Sequence, residues 1–310
     1  MALNKKGMVF TLITIVILSL FIISYSTYSI VKNKNVVNSR ITTLNNFVAS
    51  VEQDLPRQIF ISGYRAIFLI EKNMLDEGKY TANVNNTLNE LFFNGTLNET
   101  SQPLMDDAIF SVIQTFLEGN ADKINAEIQL LDPTISISQS DPWNLKITLN
   151  TTLIINDKGN LVSWNKSSSI DSLIPIKNFE DPLYLLNTQG KVTNKINQSP
   201  YQIFVTGADY TNLTNHFQNS LYIHSTSAPN FLMRLEGNLN ADPNGIESMV
   251  HPQKLIDQGV TPKYKSVIDY IYFGTSDPAK YTVPSVSNLI LDDEDNHLTI
   301  YNVSGVAVPA

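Results

Sequence analysis

Eight Asn-x-Ser/Thr triplets, at Asn85, Asn94, Asn98, Asn150, Asn165, Asn197, Asn212 and Asn302, are the residues whose types and spacing fit a defined reaction, glycan transfer to an amide nitrogen. None lies before residue 80, a distribution that suits an exposed exterior domain. A second cluster, Asp292-Asp293-Glu294-Asp295-Asn296, gathers oxygen donors of the kind a hard cation such as calcium takes. It lacks the alternating ligands and central Gly of an EF-hand loop, and reads first as a solvated turn between Leu291 and His297. The histidines, His216, His224, His251 and His297, are scattered, with no His-x-x-x-His pair to place two metal ligands on one helical face. No Gly-x-Ser-x-Gly elbow or phosphate-cradling Gly loop occurs. Asp141-Pro142-Trp143 and Glu180-Asp181-Pro182-Leu183-Tyr184 read as chain corners. No catalytic, cofactor or metal-ligating residue is therefore assigned, and the expectation is a protein that is not an enzyme.

The elements that must carry these residues begin with a run from Met8 to Val31 that holds no charged side chain. As a helix it would extend roughly 36 Å, enough to cross a hydrocarbon layer of about 30 Å with some tilt. Tyr25 and Tyr28 fall near one end, where amphipathic rings favour the headgroup zone. No small-x-small cleavage pattern follows, so the run reads as a retained transmembrane anchor and lipid as a partner. Basic residues flank both ends. Seven residues precede the run and about 280 follow, so the N-terminus is expected in the cytoplasm and the bulk outside.

From Ile41 onward 16 Lys/Arg face 29 Asp/Glu, a net charge of −13. Phosphate binding needs a concentrated basic face, so nucleic acid is not an expected partner. Cysteine is absent, which excludes disulfides and thiolate metal sites.

Beyond the anchor, Val37, Ile41, Leu44, Val48, Val51 and Leu55 step by four and three, the seam of a long helix that Pro56 should end or kink. That seam suits either a stalk packed on its own head or an oligomeric coiled coil. Ile59–Leu75 reads as a further helix stopped at Asp76-Glu77-Gly78, with Phe60, Ile67, Ile70 and Met74 facing a core or a partner helix. Asn83–Phe93 reads as a short helix before an Asn-Gly turn, and helical spacing resumes from Leu104 to Leu131, where Asp132-Pro133 should halt it.

The period then falls to two. Leu145, Ile147, Leu149, Leu153 and Ile155 share one face of a strand, with Asn150 on the wet face. A turn at 156–160 leads to a second strand in which Trp164 is an expected core or interface anchor and Asn165 faces the other way. Asn150 and Asn165 are thus the best-placed acceptors. Short strands are expected at Tyr201–Thr206, Ser220–Ser225, Phe231–Glu236, Val267–Phe273 and His297–Val303, although Phe231-Leu-Met-Arg-Leu also reads as helix. The fold expected is α+β: a basic head at 1–7, a transmembrane helix at 8–31, a helical stalk region at 32–132 and an antiparallel β-rich exterior domain at 133–310.

Lys5-Lys6-Gly7 followed at once by the apolar run resembles the leader of archaeal type IV pilin-like proteins. The resemblance implies cleavage by a prepilin peptidase between Gly7 and Met8, leaving the apolar helix as the mature N-terminus. It implies further that such helices bundle with one another, or with a surface-assembly machinery, into a filament core. Leu12 stands where bacterial pilins carry Glu, and Met8 where many archaeal relatives begin with Gln. The large head implies a minor, tip or pseudopilin-like role. The reading is a membrane-anchored, structural or adhesive glycoprotein of the cell surface. The alternatives are an anchored ligand-binding or sensory ectodomain working through a membrane partner, and an anchored hydrolase.

Overall fold

A computed structural model describes residues 5–310, with side chains from Gly7 onward. Most of the basic head assigned to 1–7 thus lies outside the described residues. The fold is α+β, built on one continuous helix and small antiparallel sheets.

Helix α1 (Lys5–Glu77) is followed by α2 (Val84–Asn94), the short ribbon β1 (Thr96–Leu97) and β2 (Thr100–Ser101), and α3 (Phe110–Lys123). Three long strands follow, β3 (Ala126–Asp141), β4 (Asn144–Asp157) and β5 (Ser163–Pro175), paired in that order. The remainder contains α4 (Pro182–Asn187), α5 (Thr211–Asn219), β6 (Tyr222–His224), α6 (Phe231–Leu235), β7 (Ile246–Ser248), α7 (Pro252–Asp257) and α8 (Asp269–Phe273). Strands β8 (Lys280–Thr282) and β9 (Ile290–Asp292), helix α9 (His297–Ile300) and β10 (Val308–Pro309) complete it. β6 pairs with β7, and β8 lies between β10 and β9.

Pro56 lies inside α1 instead of ending it. A proline there removes one helical hydrogen bond and costs about 3 kcal/mol. Burial of Val51, Leu55 and Ile59 on the same face offsets that cost, each fully buried aliphatic contributing about 2 kcal/mol. The helix stops at Glu77 because Gly78 turns left-handed, with φ of 66°. Ile67, Ile70 and Met74 are buried as expected, whereas Phe60 is exposed and stacks on Tyr64.

The chain divides into two compact units. The first holds the residues up to Asp54 with Gln114–Asp132 and Thr151–Ser168. Within it the seam residues Leu44 and Val51 are buried, together with Leu117, Ala121 and Ile155. Arg40 ties the unit together: its Nε donates to Asp157 Oδ1 at 2.5 Å and its Nη2 to the Asn125 carbonyl at 2.7 Å. Lys166 pairs with Glu52 at 2.6 Å and Lys158 with Asp122 at 2.7 Å.

The second unit holds Leu55–Ile113, Pro133–Asn150 and Ser169–Ala310. There Gly63 lets α1 press on the sheet, since a Cβ at that position would overlap the ends of Ile147 and Ile174. Gly63→Val is expected to destabilise the fold by about 1–3 kcal/mol through overpacking, read as a lower urea midpoint. An unchanged midpoint would show that helix and sheet do not meet there.

Several expectations need correction. Residues 126–131 form strand, not helix, because Ala126, Ile128 and Leu130 are buried alternately. Asp132, at φ of 49°, inserts a left-handed residue, after which the buried parity moves to Ile135 and Ile137. Pro133 sits within the strand. Trp164 is exposed and not in the core, because the buried face of β5 begins only at Ile170. Residues 201–206 form no strand. The segments assigned as strands at Phe231, Val267 and His297 contain helices α6, α8 and α9. In α6 the Asn230 side chain caps the Met233 N–H at 2.9 Å, and local capping outweighs the β propensity of an apolar run.

Candidate functional site

The most unusual surface is the first part of α1. From Met8 to Val31 its side chains are exposed all round the helix, save half-buried Ser29. Four of the hydroxyls among them turn inward on the helix itself. Thr11 donates to the Met8 carbonyl, Thr14 to Phe10, Ser19 to Ile15 and Thr27 to Ile23, at 2.7–3.0 Å. The surface presents mainly aliphatic and aromatic groups and no charge, and these four bonds reduce its free hydrogen-bonding capacity, which suits contact with an apolar medium. Gly7 and Met8 stand exposed at its start, with nothing packed near Gly7.

In the second unit the polar chemistry is buried. Arg234, from α6, reaches Asp181 Oδ2 at 2.6 Å and Asp269 Oδ2 at 3.0 Å, and its other terminal nitrogen donates to Asp269 Oδ1 and the Ile246 carbonyl. Asp269 Oδ2 also accepts from the Ser248 hydroxyl at 2.7 Å and backbone N–H at 2.9 Å. Asp181 Oδ2 accepts from Tyr222 at 2.7 Å, while its Oδ1 caps α4 through the Leu183 N–H. Burial works against the Arg234 charge, but the two carboxylates more than reverse it and raise its pKa.

A second knot adjoins it through β7. Glu247 Oε1 accepts from Tyr301 at 2.8 Å, and its Oε2 lies 3.5 Å from His297 Nε2. His297 Nδ1 donates to Asp292 Oδ1 at 2.6 Å, and Asp292 also takes the Ser266 hydroxyl. Asp292 is therefore a buried partner and not part of a solvated turn, while Asp293, Glu294, Asp295 and Asn296 are exposed. Among the described residues no group of three or more His, Cys, Asp or Glu is arranged to hold a metal ion.

Asp181, Arg234, Glu247, Ser248, Asp269, Asp292 and His297 each have zero exposure. A substrate atom has no access to them in this conformation, so the arrangement serves to tie together the short elements whose apolar side chains form the surrounding core. Burial lowers the His216 pKa to about 4, and it stays neutral. Burial opposes the His297 charge too, but its bonds to Asp292 and Glu247 raise its pKa to about 10.

The two histidines act with opposite sign. His216 contributes stability above the ordinary value near 6.5 that is lost as pH falls toward 4, about 3 kcal/mol at most. His297 contributes stability below 6.5 that is lost as pH rises toward 10. The two contributions are therefore both complete only near pH 6.5. In thermal melts taken against pH, His216→Phe should flatten the acid limb, and an acid limb of unchanged slope in that variant would refute the assignment.

The glycan acceptors do not converge. Asn85, Asn94, Asn98, Asn150, Asn165, Asn212 and Asn302 are exposed and Asn197 is half-buried. The amide nitrogens of Asn98, Asn197 and Asn212 already donate to Glu77, the Lys195 carbonyl and the Ile203 carbonyl. Asn85 and Asn302 use their oxygens to hold the Ile137 and Phe204 N–H groups.

Compared with protein families, curated proteins and solved structures, the chain matches none.

The buried residues escaped sequence reasoning because their partners are 26–54 positions away in pairs such as Arg234 with Asp181, Ser266 with Asp292 and Tyr301 with Glu247. A cation inside the apolar segment Phe231-Leu-Met-Arg-Leu was the one signal present.

Proposed function

We propose that this chain is a single-pass membrane protein of the cell surface, with its N-terminus cytoplasmic, its bulk outside and a structural or adhesive role. The sharpest form of the reading is a minor pilin-like or pseudopilin-like subunit, whose partners are lipid and the apolar helices of like subunits. The observation that carries it is the uncharged helical surface from Met8 to Val31, exposed apart from half-buried Ser29 and with Thr11, Thr14, Ser19 and Thr27 bonded to its own backbone. A surface of that kind is stable in lipid or against other apolar helices, not in water.

The test is the N-terminal peptide of the protein isolated from its native membrane, by mass spectrometry. A peptide beginning at Met8, together with recovery in sheared surface fractions, supports assembly. A peptide beginning at Met1 or Ala2 overturns the pilin-like form and leaves a simple anchor. Recovery of the whole chain in the soluble fraction overturns both. The same digest tests the acceptors. Glycans are expected on Asn94, Asn150 and Asn165, which are exposed, and not on half-buried Asn197.

A further inference from the structure

A pocket in the second unit combines one aromatic wall, several amides and one cation. It has a volume of about 400 Å³ and is lined by Trp143, Asn144, Pro175, Lys177, Asn197 and Gln198, with buried Ile196 at its base. That volume lies within the range of small-molecule sites, about 300–1,000 Å³.

The frame is rigid. The Trp143 N–H donates to Asp141 Oδ1 at 2.8 Å, and its carbonyl accepts from the Ile176 N–H at 2.9 Å. The Ile196 carbonyl accepts from the Asn178 N–H at 3.0 Å and its own N–H donates to Phe179 at 2.9 Å. The Asn197 carbonyl accepts from the Tyr222 N–H at 2.9 Å. A wall tied at this many points is already arranged before any ligand arrives, which lowers the entropy cost of binding.

The chemistry is selective. An indole offers a flat apolar face with no acceptor, suited to the C–H face of a pyranose ring. Asn144 uses its amide nitrogen on Asp141, at 3.0 Å, and keeps its oxygen as an acceptor for a hydroxyl. Gln198 is exposed and offers both a donor and an acceptor, the pairing that neighbouring hydroxyls need. Lys177 is exposed, in a chain whose acidic residues outnumber its basic ones, and no ion pair is recorded for it among the described residues. It is placed to hold a carboxylate.

We propose that this pocket binds an acidic monosaccharide of the hexuronic acid class, with the ring on Trp143, hydroxyls on Asn144 and Gln198, and the carboxylate on Lys177. The inference goes beyond anchorage, and either can fail without the other.

The chain has two tryptophans, so Trp164→Phe leaves Trp143 as the only indole reporter. The full chain, produced without glycosylation and held in a detergent lacking a sugar headgroup, is titrated with glucuronate and galacturonate while Trp143 fluorescence is followed. A saturable change with a Kd on the order of 1 mM is expected. Lys177→Glu should weaken it by about tenfold while leaving the thermal melt unchanged. No saturable change up to about 10 mM overturns the proposal, as does equal binding of glucose or indifference to Lys177→Glu.

Discussion

Arg234→Met is expected to be the most damaging single substitution in the second unit, lowering its stability by about 3–5 kcal/mol. The guanidinium lies between Asp181 and Asp269 with no exposure, and its removal leaves two carboxylates facing each other in a dry interior. It also strips the Ile246 carbonyl of a donor, at the strand that carries Glu247 and Ser248. For a domain whose total stability is on the order of 10 kcal/mol, that is a large share. Urea unfolding followed by tyrosine fluorescence would measure it. Adding Asp181→Asn and Asp269→Asn should return part of the loss, because the uncompensated charge, more than the lost bonds, dominates it. If the triple variant is weaker than Arg234→Met alone, hydrogen bonding and not charge holds the cluster.

On the proposed reading of the apolar helix as a membrane span, Leu18→Arg with Ile22→Arg is expected to displace the chain from the membrane fraction. Each charge near the centre of a spanning helix costs about 2.5–3.5 kcal/mol on insertion scales, so the pair costs about 5–7 kcal/mol. Both positions are more than half exposed, at 61% and 62%, so the change disturbs no internal packing. Alkaline extraction of membranes is the assay. Full retention of the double variant would mean that something other than the apolar helix holds the protein there. The melt of the remainder in detergent should stay unchanged, which separates loss of anchorage from loss of fold.

What was legible in the sequence follows the range of the forces involved. The apolar run, the short helix from Asn83, the Asn-Gly turn after it and the alternation of β4 depend on neighbours within a few positions, and each stands in the structure. The Asn83 side chain accepts from the Asn86 N–H, and Leu145, Ile147, Leu149, Leu153 and Ile155 are all buried. The core alternative for Trp164 fails because its type says that it is large and apolar, while its place near the end of β5 leaves it exposed. Residues 126–131 were misread because Ile124, Ile128 and Leu131 fit a helical spacing, while Ala126 and Leu130 complete an equally good strand. The segments at α6 and α8 were expected as strands because short apolar runs fit either period, while the Asn230 cap makes α6 helical. The pocket at Trp143 showed only as a corner of the chain, since its other wall comes from residues 196–198.

The ion pair between Arg40 and Asp157 spans 117 positions, and this separation governs how the chain is made. At about 5–20 residues per second, the ribosome delivers Asp157 on the order of 10 s after Arg40. Through that interval the face bearing Leu44 and Val51 has none of its final neighbours from the later strands, although the preceding helix has already emerged. The nascent protein therefore passes through a stage with a completed N-terminal segment and a bare seam beside it. A ribosome-bound intermediate truncated before Asp157 should be markedly more sensitive to protease around residues 40–54 than one extended past Ser168, and should be the form that a holdase chaperone captures.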